Sequence, residues 1–296
     1  MISRLFGRKE PERKGSDFVI EDDEVVEESA FVSSLRLHLA RLIAYAESAD
    51  VKLQRDVAEK LANEAVKGER QVQIVELGGL KLLIPLTRSV DSEVQRLAAH
   101  ALANLSVNAD NQRLMALDGA IEVLIVLLES GQVQTQRQSA KALANLGVHH
   151  DNKRMIAEAG AIPKLVRLTM AGVPTTAKVE AVAALANLAV NDLNEVEIEA
   201  ADGIRTIVTA LQASVEFVES YTGVRDREFN HVEELLAQCT RALRNLSVSP
   251  RNKKVMIELG AMPYLQRLLR HSNERIAQQT RKALSNLGHS SGHMGK

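Results

Sequence analysis

The chain has no tryptophan, one cysteine, six prolines and only 3% aromatic residues among its 296 positions. Each scarcity excludes something. Without Trp, and with few Phe and Tyr, a core must be filled by Leu, Val, Ile and Ala, which suits closely packed helices better than sheets. One thiol, Cys239, cannot build an internal disulfide framework and fits a reducing compartment. No apolar run approaches the ~18 residues that cross a bilayer. A net charge of −1 supplies no global field for nucleic acid or an anionic membrane. Ile2 follows Met1, so the Gly required for N-myristoylation is missing. The expectation is a soluble, monomeric, intracellular protein, cytoplasmic and open to the nucleus, with no membrane span and no nucleic-acid partner.

What is present is a phrase, Ala-Leu-x-Asn-Leu. It reads Ala101–Leu105, Ala142–Leu146, Ala184–Leu188, Ala242–Leu246 and Ala283–Leu287, after a degenerate copy Lys60-Leu61-Ala62-Asn63-Glu64. The steps between successive asparagines are 41, 41, 42, 58 and 41 residues. A period near 40 over most of a chain is the signature of a stacked helical repeat, in which each unit touches only its neighbours.

The unit is clearest over 110–150. Asp110 and Asn111 are N-cap candidates for a short helix through Leu117. Asp118-Gly119 breaks it, and Ile121, Leu124, Ile125 and Leu128 mark a second, amphipathic helix. A third helix then runs into the repeated phrase. The breaker recurs as Gly78, Gly119, Gly160, Gly203 and Gly260. Pro163 and Pro263 take first-turn positions, whereas Pro85 lies inside its helix and is expected to kink or shorten it. Phe31–Ser48 and Asp50–Val66 read as the last two helices of a truncated first unit. Residues 1–30, basic and then acidic, read as a disordered tail, and Ser290-Ser291-Gly292 places a flexible end over 290–296.

Gly160-Ala161-Ile162-Pro163 and the five closing phrases, with three helices in each ~41 residues, resemble the armadillo repeat family over about 31–289. The resemblance implies an all-α, right-handed solenoid of about six three-helix repeats, the first truncated. It also implies that the third helices line a concave groove for extended peptides, with no catalysis and no cofactor.

On a wheel of 100° per residue, Asn145 lies about 200° from the core residue Leu143, and Lys141 about 160° away on the other side. Asn104, Asn145, Asn187, Asn245 and Asn286 therefore face away from the core. An amide that both donates and accepts can hold a partner's backbone, or it can bond between adjacent repeats and fix the stack. Four residues before Asn104, Asn145, Asn245 and Asn286 stand His100, Lys141, Arg241 and Lys282, and eight before Asn63, Asn104 and Asn145 stand Arg55, Arg96 and Arg137. Together they describe either a basic groove that selects acidic extended segments or an ordinary solvated face. Nuclear-import adaptors of the family carry Trp four residues before the Asn, and this chain has none, which disfavours that role. The acidic run Asp17–Glu28 is a candidate occupant of the groove.

The 58-residue step reads as two lengthened helices turning near Thr222–Arg227, a helical arm near 214–232. About eight extra residues per helix would carry its corner out by about 12 Å. Phe217, Tyr221 and Phe229 there either pack the extension together or serve a partner. Catalytic and metal constellations are not found: Cys239 sits at a small packing position, and His149-His150 lies in a turn without companions. The expected function is a non-enzymatic scaffold or adaptor for extended acidic peptides. The alternative is a regulator of a small GTPase or motor acting through a folded-domain surface. Reversing Arg96, Arg137 and Lys141 separates the two.

Overall fold

The computed structural model of the chain describes residues 29–288, where every regular element is helical. The expected tails 1–30 and 290–296, and with them the groove occupant Asp17–Glu28, lie outside the described residues, apart from Ser29 and Ala30 at the first helix. Contacts divide the chain into two compact units, Met1–Asn111 and Gln112–Lys296.

The first unit holds α1 (Ala30–Glu47), α2 (Val51–Ala65), α3 (Gln71–Glu76), α4 (Leu80–Leu86) and α5 (Ser92–Leu105), and the boundary falls within α6 (Ala109–Leu117). Side-chain caps start several of these helices. Ser29 Oγ accepts from the Val32 amide at 3.3 Å, Asp50 from Lys52 at 2.9 Å and Asp91 from Val94 at 2.9 Å. Pro85 falls in the last turn of α4. At seven residues that helix is as long as its counterparts Ala161–Arg167 and Ala261–Arg267 and one residue shorter than Ala120–Leu127, so any shortening at Pro85 is slight. Where the first unit's repeated phrase ends in Glu64 in place of Leu, the carboxylate is buried and held by Arg70, Lys67 and Lys60.

The second unit continues with α7 (Ala120–Leu127), α8 (Val133–Leu146), α9 (His150–Glu158), α10 (Ala161–Arg167) and α11 (Thr175–Leu188). Then come α12 (Asp192–Ala200), α13 (Gly203–Ser220), α14 (Arg227–Leu246), α15 (Pro250–Glu258), α16 (Ala261–Arg267) and α17 (Glu274–Gly288). The third helices of successive repeats form the inner stack: α11 packs on α8 and α14, and α14 on α17; in the first unit α2 packs on α5. Close approach is helped because one position of α5, α8, α11, α14 and α17 is small and buried, as Ala98, Ser139, Ala181, Cys239 and Thr280.

The breaker glycines Gly78, Gly119, Gly160 and Gly260 have φ between 72° and 88°, the left-handed region. The fourth repeat departs from the expectation. There Asp202 takes the left-handed conformation (φ 63°), and Gly203 is instead the first residue of α13. A Cβ at Gly203 would lie 2.8 Å from both the carbonyl oxygen and Cγ2 of Ile198, so that glycine answers to close approach rather than to φ. At Gly160 a Cβ meets nothing within 4 Å, so the whole cost of a side chain there is backbone strain. Gly160→Ala is expected to cost about 1–2 kcal/mol. Asp202→Gly is expected to gain about 0.5 kcal/mol, the relieved strain being partly offset by the freer unfolded chain. Urea midpoints of the two variants check the pair.

The 58-residue step is two long helices. α13 has 18 residues where α10 has seven, and α14 has 20 where α11 has 14. Tyr221 packs between Phe217 and Phe229, with ring centroids 5.3 and 5.1 Å away, and Phe229 is buried. The Arg225 guanidinium lies 4.8 Å from the Phe229 ring centroid. The extension also grips the next repeat: Tyr264 Oη donates to Glu216 at 3.0 Å, and Arg267 Nε to Glu219 at 2.8 Å. The three rings thus knit the extension together.

Candidate functional site

Two rows of asparagine run along the stack, and only one was legible in the repeated phrase. In the second unit three of the phrase asparagines that close third helices donate to a backbone carbonyl of the preceding third helix. Asn187 Nδ2 reaches Ala144 O at 2.7 Å, Asn245 reaches Ala186 O at 2.8 Å and Asn286 reaches Arg244 O at 3.3 Å. These amides are half-buried. One N–H of Asn187 and of Asn245 fixes the spacing of adjacent repeats, while the other N–H and the carbonyl oxygen take no part in that bond. Asn286 Nδ2 also donates to Ser247 Oγ at 3.0 Å, which engages both of its N–H groups. Asn145, in the same register on α8, is half-buried as well. In the first unit Asn104 Nδ2 lies 3.3 Å from the His100 ring nitrogen four residues earlier.

The second row sits in the first helices. Asn111, expected as a cap, is fully buried, and Asn108 Oδ1 accepts the Asp110 amide in its place. Asn111 Nδ2 donates to Gln71 O and Leu105 O, both at 3.0 Å. Asn152 bridges Gln112 O and Leu146 O at 2.9 and 3.1 Å, and Asn194 bridges Lys153 O and Leu188 O at 3.1 and 3.3 Å. Each clamps the first helix of the preceding repeat to the end of its own third helix. Asn252 occupies the same register and is buried, with its Nδ2 unpartnered among the described residues.

The cations divide by what already holds them. In the first unit Arg55 bonds Asp91 at 2.7 Å, and Arg96 makes a two-pronged contact with Glu93 at 2.7 and 2.6 Å. The Val94 amide, and then Arg55, hold the Asp91 carboxyl below its usual range, and Arg96 does the same for Glu93. In the second unit Arg137 Nε lies 3.8 Å from Glu180, whose carboxyl is pushed up by burial against the pull of Arg137 and Lys141. These guanidinium groups are committed inside the chain.

Further along α14 and α17 the partners are neutral. Arg241 donates to the Ala183 carbonyl at 3.0 Å, and burial together with Arg275 pushes its pKa down. Arg244 donates to the Gln279 side-chain oxygen at 3.0 Å, and the exposed Lys282 forms no ion pair among the described residues. Arg244 and Lys282 line an open cleft of about 650 Å³ with Asn245, Asn286, Val190 and Val248, and Asp192 and Glu195 complete its acidic wall. Those valines belong to a feature missed in the sequence although visible there. Three residues after Asn63, Asn104, Asn145, Asn187 and Asn245 stands a Val that is more than half exposed: Val66, Val107, Val148, Val190 and Val248. Cys239 is fully enclosed, and burial pushes its thiol up to about 12, which leaves no thiolate for nucleophilic work.

Two segments of the chain, 69–107 and 149–190, match the model of the Armadillo/beta-catenin-like repeat. A comparison with curated proteins finds no match. Among solved structures, the crystal structure of an engineered protein is 30% identical, with a TM-score of 0.71 over 84% of this chain and 96% of the other. A designed armadillo repeat protein is similar at 25% identity and TM-score 0.71, over 84% and 99% of the two chains. A further designed armadillo repeat protein, determined in complex with the peptide (KR)4, has 25% identity and a TM-score of 0.69 over the same shares.

Proposed function

Because the chain belongs to the armadillo repeat family, we propose that it is a non-enzymatic scaffold or adaptor that holds extended, acidic segments of partner proteins along its third helices. One observation carries the sign of the charge. Arg244 and Lys282 flank Asn245 and Asn286 at one cleft and are not neutralised by a carboxylate of their own. A designed relative is seen with the basic peptide (KR)4; here the third-helix side of the cleft carries cations, so the preferred ligand is of opposite charge. An extended strand places alternate side chains on opposite faces. Carboxylates on one face would meet Arg244 and Lys282 while the remaining N–H and the carbonyl oxygen of Asn245, and the carbonyl oxygen of Asn286, take the backbone. An aliphatic side chain between them would rest against Val190 and Val248. Arg55, Arg96 and Arg137 contribute less, because a peptide must first displace Asp91, Glu93 or Glu180.

The test is fluorescence anisotropy with a short labelled peptide alternating Glu and Val. The double variant Arg244→Glu/Lys282→Glu is expected to bind at least about tenfold more weakly, or about 1.4 kcal/mol. The difference should shrink in salt as the exposed charges are screened. Unchanged affinity in the double variant, or tighter binding of (KR)4 to the native chain, would overturn the acidic-peptide reading.

A further inference from the structure

The first helices share a register anchored by the buried asparagines, and one of them breaks its pattern. The four residues read Asp110-Asn111-Gln112-Arg113, Asp151-Asn152-Lys153-Arg154 and Arg251-Asn252-Lys253-Lys254, but Leu193-Asn194-Glu195-Val196 on α12. Where its counterparts present charge to water, α12 presents Leu193, 76% exposed, and Val196, 53% exposed. Helical geometry puts Leu193, Val196, Glu197 and Ala200 within an arc of about 100°, a continuous stripe down the helix. A cleft opens at each end. One, of about 370 Å³, is lined by Leu193, Val190, His150 and Lys153. The other, of about 400 Å³, is lined by Ala200, Glu197, Met170 and Pro163. Leu193 and Ala200 are separated by about 10.5 Å of rise, the distance between side chains seven residues apart on a partner helix.

Charge selects the occupant. α12 carries Asp192, Glu195, Glu197 and Glu199 and no basic residue, whereas α9 carries Lys153 and Arg154 and α15 carries Arg251, Lys253 and Lys254. Glu199 is paired with Arg251 at 2.7 Å, but Asp192 and Glu197 form no ion pair among the described residues. Of the cations bordering the clefts, Arg167 is neutralised by Glu129 at 2.5 Å. Lys153, whose Nζ donates to the Val148 carbonyl at 2.9 Å, keeps its charge in the lining of the first cleft with Asp192, so Glu197 at the second cleft is the main acidic contact. We propose that α12 and its two flanking clefts form a docking surface for a basic amphipathic helix of a partner protein. Apolar side chains seven residues apart fill the clefts, and Lys or Arg beside them meets Glu197 and Asp192, the helix-in-groove mode of recognition. This surface shares Val190 and Asp192 with the cleft beside Arg244 and Lys282, but Leu193, Val196, Glu197 and Ala200 lie outside that cleft, so it stands whether or not that cleft binds acidic peptides.

The probe is a labelled designed peptide with Leu on one helical face and Lys on the rest, compared with its counterpart carrying Glu for Lys. Leu193→Ser/Val196→Ser removes only exposed side chains, so its circular dichroism and melting should match the native chain. It is expected to bind the Lys peptide at least tenfold more weakly, Glu197→Lys should also weaken binding, and Arg244→Glu/Lys282→Glu should leave it unchanged. Equal binding of the Glu peptide, or an affinity untouched by Leu193→Ser/Val196→Ser, would sink the proposal. So would sedimentation showing that the native chain self-associates and that the same double variant abolishes it, since the occupant would then be a second copy.

Discussion

Leu185→Ala is expected to lower the unfolding free energy of the second unit by about 2–5 kcal/mol. Leu185 is fully buried on α11, the helix packed between α8 and α14. Truncation removes the transfer energy of the lost methyl groups and leaves a void that surrounding helices close only in part, which sets the spread of the estimate. The loss should also show in the shape of the transition. A stack stabilised by nearest-neighbour interfaces has no long-range contacts to bridge a weak repeat, so a lesion at its middle uncouples the flanks. Urea unfolding followed by helical circular dichroism should therefore give a lower midpoint and a broader or two-step curve. A midpoint shift worth less than about 1 kcal/mol, with cooperativity intact, would mean that the helices collapse onto the smaller side chain.

Asn194→Ala should cost about 2–4 kcal/mol, because one amide satisfies two carbonyls, Lys153 O and Leu188 O, in a nearly dry site. Removing it strands both acceptors, and an unsatisfied buried group costs more than a hydrogen bond gains. The contrast is Asn187→Ala. That amide also bonds across repeats, at 2.7 Å to Ala144 O, but it is half-buried and water can replace it, so about 1 kcal/mol is expected. Thermal melts of the two variants side by side decide which asparagine row holds the stack. If Asn187→Ala proves the costlier, the phrase asparagines are primarily structural and have little left to offer a peptide.

The two rows show how unevenly the site could be read in advance. The phrase Asn announces itself because it follows the same leucines every 41 or 42 residues, apart from the one step of 58. The buried Asn is just as regular, at 111, 152, 194 and 252, yet it stands beside Asp110, Asp151 and Asp192 at helix starts, where an Asn is ordinarily a cap. The basic groove was overstated for a related reason. The pairing of Arg96 with Glu93, three residues apart on one helix, was available from spacing alone. That of Arg55 with Asp91 joins residues 36 apart and depends on how one repeat is rotated on the next. The position of the left-handed residue was misplaced by one because Gly203 is the glycine, while Asp202 keeps the 41–42-residue register.

Sequence alone determined that the chain is a stack of helices, which faces of those helices are buried and where the period breaks at 58 residues. Those features depend on a 3.6-residue period and a ~41-residue period, and both are properties of one dimension. Only the tertiary structure decided which asparagine N–H groups are consumed by a neighbouring carbonyl, which cations keep their charge available and which valines and leucines stay in water. Each of these is set by the rotation between adjacent repeats, which brings residues tens of positions apart to within hydrogen-bond distance and has no counterpart in the order of the letters.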